Sequence, residues 1–187
     1  MTVASSPLLG QPIFARFFKA SRQAVTVTDA ERELIHIAVS LSLHCEPCAT
    51  NHIGIASRMG ISAPLVDSAV LTGARVSAEA TARSADPYFA SALRVDGLPG
   101  FKSEVERLEG PNESTNILVG VAVAAALCHG PQLEHEIVSA RDRGVSDELM
   151  SEAISIGCSV SAGVQVAMAD RSRRAAEGNY RYWEPRA

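Results

Sequence analysis

Apolar residues recur along this chain at intervals of three and four, with no convincing two-residue alternation. That period predicts an all-α protein. A first helix is expected over residues 12–24, with Ile13, Phe14, Phe17 and Phe18 on its apolar face. Thr28-Asp-Ala-Glu31 has the form of a capping box, so a second helix should start at Asp29 and run to about Leu43. Leu34, Ile37, Ala38 and Leu41 form its apolar stripe, and Glu33 lies in its first turn, where a carboxylate is favoured. Pro47 is tolerated only in the first turn of a helix, so a third should begin near Cys45 and stop at Gly60. Ser62 caps a fourth that directs Leu65, Val66, Ala69 and Val70 inward.

From Ser77 to Gly110 the pattern is less regular, and Asp86-Pro87 and Gly97-Leu-Pro-Gly100 are expected to break it into short helices. Asn112 is placed to cap a strongly apolar helix through Leu127. Pro131 opens another that ends at Gly144, and Ser146 caps one running to about Val160. A separate polar helix carrying Arg171, Arg173 and Arg174 follows, then a Tyr-Arg-Tyr-Trp tail that could lie over the protein or a neighbouring subunit.

A repeat underlies this order. Sliding the chain by 84 positions lays Leu34 on Leu118, Ala38 on Ala122, Pro47 on Pro131, Gly60 on Gly144, Ser62 on Ser146 and Gly73 on Gly157, without a gap. The chain therefore reads as one domain over residues 1–187, built from two tandem pseudo-symmetric helical units at about 29–78 and 113–162. Chemistry does not repeat with the packing. Glu33 falls on Ile117, Cys45 on His129, Cys48 on Gln132 and His52 on Glu136. Residues serving the fold alone should be needed in both copies, so the polar set of the first points to function.

Composition narrows the setting. Of 187 residues, 47% are hydrophobic and 20% charged, as in ordinary globular proteins, and aromatics at 5% favour closely packed helices. The net charge of −4 argues against nucleic acid or an anionic membrane surface as partner. The N-terminal stretch lacks the basic and apolar regions of a signal peptide. The run from Ile117 to Leu127 is about half the ~20 residues a bilayer span requires. A cytoplasmic setting is therefore expected. There, four cysteines are not structural staples, and a C-x-x-C is more often redox-active or metal-binding.

That C-x-x-C is Cys45-Glu-Pro-Cys48, followed by His52. On a helix these three return to within about 60° of one another. Unpaired N–H groups in the first turn favour a thiolate, and His52 one turn on can exchange its proton. The helix dipole alone permits either cysteine as the nucleophile. Other readings compete. The pair could be buried structural cysteines, or zinc could take Cys45, Cys48, His52 and His44. Cys128 and His129 read as packing or interface residues because adjacent helical positions diverge, Cys158 as core, and Asp29 and Glu31 as helix-capping residues.

Glu33, eleven residues, Cys45-x-x-Cys48, three residues and His52 together resemble the signature of the AhpD-like alkylhydroperoxidases of the carboxymuconolactone decarboxylase superfamily. The resemblance extends over the tandem unit from Glu31 to about Ala162. It implies an AhpD-like helical bundle and a reductive thiol peroxidase acting on organic hydroperoxides. In that scheme Cys48 is the peroxidatic thiol, Cys45 resolves its sulfenic acid to a disulfide, and Glu33 orients His52, which helps deprotonate Cys48. The best-known members place a relay histidine where this chain has Pro47; His44, beyond Cys45, is the candidate substitute. The resemblance further implies no bound cofactor or metal, recharging by a dithiol or lipoyl-type reductant, and a homo-oligomer, trimer or hexamer. The apolar helix at Ile117–Leu127 must in any case be covered on every side, by the fold or by another chain. Two alternatives remain: a lactone decarboxylase using histidine and glutamate without a disulfide cycle, and a non-enzymatic redox sensor whose disulfide alters assembly.

Overall fold

The computed structural model describes residues 26–89 and 113–176, all in helices and their short connections. Six helices follow in order: α1 (Asp29–Ser42), α2 (Glu46–Arg58), α3 (Ala63–Phe89), α4 (Glu113–Ala126), α5 (Gly130–Asp142) and α6 (Asp147–Ala176). No strand occurs among the described residues, so the fold is an all-α bundle of the AhpD-like kind. The expected helix over 12–24, the Asn112 cap and the aromatic tail lie outside the described residues.

The first three helices and the last three start at positions 84 residues apart. Their turns match as well. Gly60 and Gly144 close α2 and α5 at φ of 75° and 79°, a conformation in which a side chain would be strained. His44 and Cys128 take the same left-handed turn after α1 and α4, at φ of 56° and 54°. At the first of these the Cys45 N–H donates to the Ser40 carbonyl at 2.8 Å, closing the helix end and fixing where α2 begins.

α1 and α4 are the two central helices. α1 packs against α2, α3, α4 and α6, and α4 against α1, α3, α5 and α6. The capping box at the start of α1 forms as its residues predict: Thr28 Oγ accepts from the Glu31 N–H, and the Glu31 carboxylate accepts from the Thr28 N–H at 2.9 Å. Burial then runs unbroken from Glu33 to Ser40, including Ile35 and Val39. Leu41, expected on the apolar stripe, is exposed instead, in the last turn of α1. α4 is buried at every position from Asn116 to Ala126. The fold itself therefore covers the helix that had called for a cover, and its burial requires no second copy. Asn116, the polar residue in that run, exchanges hydrogen bonds with Ser68 at 2.8 and 3.1 Å.

Two expectations are corrected. Ser77 to Phe89 do not break into short helices; α3 continues unbroken to Phe89, past Asp86-Pro87, while the expected break at Gly97-Leu-Pro-Gly100 lies outside the described residues. Its polar positions do not compete with the helix, because Thr72, Ser77, Thr81 and Ser84 each turn their hydroxyl back to the carbonyl four residues earlier. Val76 and Ala80 hold this stretch in the core, and Pro87 forfeits a hydrogen bond only in the last turn. Likewise the helix after Ser146 and the one carrying Arg171 are a single 30-residue helix, α6, continuous through Val160 and Val164, both buried. Its segment Asp147–Ala169 has the length and hydropathy to cross a membrane; here Ala153, Ile156, Val160 and Val164 on it form part of the core.

Candidate active site

The site grows from the junction of α1 and α2. Cys45 is the residue at which α2 starts, and Pro47 sits in the first turn, where its missing N–H costs no hydrogen bond. Cys48 follows in that turn, and its sulfur is bonded to that of Cys45 in a disulfide, with Cα atoms 5.3 Å apart. Cys45 is buried at 7% exposure, whereas Cys48 is half-buried. A cavity of about 310 Å³ opens beside Cys48, lined also by Ser40, Asn51 and His52, with Ser159 and Gly163 of α6 across from them.

Glu33 and His52, nineteen residues apart, meet in the core: His52 Nδ1 lies 2.6 Å from Glu33 Oε2. With the carboxylate ionised, Nδ1 carries the proton and donates, leaving Nε2 as the nitrogen free to exchange a proton with a group in the cavity. A third residue joins them that the sequence reading passed over. His36 is buried, its Nδ1 lies 3.7 Å from Glu33 Oε1, and its ring stacks on His52 with centroids 4.3 Å apart and planes at 19°. The signal was present in the spacing: His36 stands one turn beyond Glu33 on the same face of α1. Burial by itself would push the Glu33 carboxyl upward, but the two imidazoles outweigh it and bring it down from 4.5 to about 2.

This has a measurable consequence. A carboxyl whose folded pKa is depressed contributes stability that is fully present above its unfolded pKa and is lost as pH falls through the folded one. Between about pH 4.5 and about pH 2, Glu33 should add a slope of up to about 1.4 kcal/mol per pH unit to the unfolding free energy. Urea unfolding of a Glu33→Gln variant should show a shallower acid limb than the parent. Equal slopes would mean that the histidines do not hold this carboxylate ionised.

Glu33, His36 and His52 each offer an atom within 4.8 Å of the others, the set here that could hold a metal ion. It shares only His52 with the zinc set considered from sequence, whose two sulfurs are bonded to each other. His44 is exposed on the turn after α1 and does not line the cavity.

The corresponding positions in the second half are occupied quite differently. Glu33, His36, Ser40, Cys48 and His52 give way to Ile117, Gly120, Ala124, Gln132 and Glu136. Across from them, Arg75 and Glu79 of α3 stand where α6 has Ser159 and Gly163. Arg75 reaches both carboxylate oxygens of buried Glu136, at 3.1 and 3.2 Å, and Glu79 at 2.9 Å, while Gln132 donates to Glu79 and Glu136. Gly120 leaves the room Glu136 needs, since a Cβ there would lie 2.6 Å from its carboxylate. Burial would lower the Arg75 pKa, but the carboxylates of Glu136 and Glu79 raise it further. A closed ion-pair network thus fills the place that is a cavity in the first half. Glu79, His135 and Glu136 also bring potential ligand atoms within 4.8 Å.

The remaining candidates lie away from the cavity. His129 caps α5, its Nδ1 accepting from the Gln132 N–H at 3.1 Å and its Nε2 bonded to Ser84 at 2.9 Å. Cys128 and Cys158 carry free thiols. Cys158 is exposed rather than in the core, because it lies on the outer side of α6. Partial burial pushes its thiol pKa up, and nearby Cys128 adds to this.

Residues 11–90 match the model of the Carboxymuconolactone decarboxylase family. Over that stretch the chain is similar to the carboxymuconolactone decarboxylase family. The matched segment holds α1, α2 and α3, and with them Glu33, His36, Cys45, Cys48 and His52. The carboxymuconolactone decarboxylase match thus covers the half that keeps the chemistry, while α6, which closes the cavity, comes from outside it. No curated protein matches the chain.

Proposed function

We propose that the protein is a reductive thiol peroxidase that converts organic hydroperoxides to alcohols through a Cys45–Cys48 dithiol–disulfide cycle. The observation that carries this reading is the placement of a disulfide and a buried glutamate–histidine pair on one small cavity. In the reduced enzyme, His52 Nε2 takes the proton of Cys48. The thiolate attacks the terminal oxygen of ROOH, the O–O bond breaks, and the leaving alkoxide takes a proton to become ROH. Cys48 is then a sulfenic acid. The Cys45 thiol attacks it, forming the S–S bond and releasing water. An external dithiol of the lipoyl type, available in the cytosol, reduces the disulfide, so ROOH and the dithiol become ROH, water and the oxidised dithiol.

Exposure supports Cys48 as the first sulfur attacked, since it lines the cavity and Cys45 does not. Glu33 holds the tautomer and orientation of His52, and His36, stacked behind, keeps the ring from turning away. The test supplies reduced protein with one equivalent of cumene hydroperoxide and follows both free thiols by mass spectrometry. One cumyl alcohol and one Cys45–Cys48 disulfide per chain are expected, and turnover once dihydrolipoamide is added. Unreacted thiols would defeat the proposal.

The buried Glu33–His36–His52 cluster also suits proton transfer without sulfur, which favours a lactone decarboxylase as the second reading. That reading predicts lactone turnover that survives replacement of both cysteines by serine.

A further inference from the structure

The two halves act as an internal control on the cavity. Around α1 and around α4 the helices start 84 residues apart and the turns match, yet one half has a cavity and the other an ion-pair network. Most of the difference follows from groups already discussed. Ser40 does not. It is 0% exposed, it lines the cavity, and its hydroxyl makes no hydrogen bond among the described residues. Its counterpart Ala124 is equally buried and has no hydroxyl to satisfy. Ser159, across the cavity, differs again: its hydroxyl is occupied by the Ile156 carbonyl of its own helix at 2.8 Å.

A fully buried hydroxyl without a partner is unusual, and the ordinary explanation is a ligand or water that uses it. Three features say which kind of ligand. The cavity volume is at the lower end of the ~300–1,000 Å³ range for small-molecule sites. Val160 and Val164 make its far wall apolar. Ser40 is also tied to the redox pair, because its own carbonyl accepts the Cys45 N–H.

We infer that Ser40 is a substrate-binding residue whose hydroxyl holds the oxygen of a small, apolar-tailed hydroperoxide and of the alcohol formed from it, in a cavity that Gly163 keeps open. This rests on the peroxidase reading for the identity of the ligand. As a hydroxyl, Ser40 can accept from the O–H of ROOH or ROH and donate to the oxygen left after O–O cleavage. Gly163 matters because the corresponding Glu79 reaches into the matching space of the other half, where it bonds Gln132.

The probe is cumyl alcohol, titrated into the full-length disulfide form so that no turnover is needed. Ser40→Ala should weaken its binding about three- to tenfold, the range for one hydrogen bond. The alanine at the counterpart position argues that the fold accepts this change. Gly163→Leu should fill the cavity and abolish cumyl alcohol binding, while the helical circular dichroism spectrum and the Cys45–Cys48 disulfide stay as in the parent. In hydroperoxide assays the Ser40→Ala loss should appear in KM more than in kcat. Equal affinity of parent and Ser40→Ala protein would overturn the inference, as would a parent that does not bind the alcohol. If binding depends on Ser40 and Gly163 but reduced protein leaves hydroperoxide untouched, the site stands and the peroxidase reading falls.

Discussion

Replacing Cys48 with serine is expected to lower the turnover of cumene hydroperoxide by at least about a thousandfold, because the hydroxyl is a far weaker nucleophile at neutral pH. The fold should tolerate the change: Cys48 is half-buried, lines the cavity and packs at the edge of the core, where serine differs from it by a single atom. Cys45→Ser separates the two roles. That variant keeps the attacking sulfur and lacks the resolving one, so it should release about one equivalent of cumyl alcohol and then stop, with Cys48 held as a sulfenic acid that dimedone traps. The asymmetry between a variant that never starts and one that fires once is the signature of the assigned order. If Cys45→Ser is the silent variant and Cys48→Ser gives the single burst, the roles are reversed, and the deeper sulfur is the nucleophile. A Cys48→Ser protein that works at the parent rate ends the sulfur mechanism altogether.

The largest effect on stability should come from Gly157→Ala. α4 and α6 cross so closely there that an added Cβ would lie 2.3 Å from the Ala122 carbonyl oxygen, and 3.0 Å from its carbon. Backbone cannot swing aside as a long side chain can, so the two helices must separate. Parting two packed helices at the centre of the core costs about 3 kcal/mol or more, against total stabilities of about 5–15 kcal/mol for such domains. Two other glycines calibrate the measurement. Gly73, the counterpart, meets Ala38 Cβ at 3.3 Å and Ser42 Oγ at 3.2 Å, so Gly73→Ala should cost clearly less. Gly130 at the start of α5 meets nothing within 4 Å, and Gly130→Ala should change stability by no more than about 1 kcal/mol. Urea midpoints falling in the order Gly130, Gly73, Gly157 are the expected result; a Gly157→Ala midpoint equal to the parent's would show that the helix crossing is looser than described.

Local signals in the sequence were legible where local physics decides. Thr28 and Glu31 capped α1, Pro47 placed the start of α2, and Gly60 and Gly144 marked turns, because each constraint acts within a few residues. Spacing alone was enough to single out Glu33, Cys45, Cys48 and His52. It failed for α3 and α6. Asp86-Pro87 and the polar stretch after Val160 look like breaks to any local reading, yet side-chain bonds back to the helix and packing of Val76, Ala80 and Val164 carry both helices through. It also passed over His36, since a histidine among Leu34, Ile35 and Ile37 reads as one polar residue on an apolar helix.

By itself, then, the sequence determined the helical class, the positions of most helix ends, the duplication and the identity of four polar residues in one copy. The tertiary structure decided what those residues meet. Nineteen residues separate Glu33 from His52, and only the packing of α2 against α1 brings them to 2.6 Å and stacks His36 on the same ring. The cavity is a still longer-range fact, because its far wall is Ser159 and Gly163, more than a hundred residues from Cys48. Capping and turn formation depend on a few neighbouring dihedrals, which a sequence displays directly. A cavity depends on which side chains two distant helices bring face to face, and there a glycine or an arginine at one position on the opposite helix decides between an open site and a closed one.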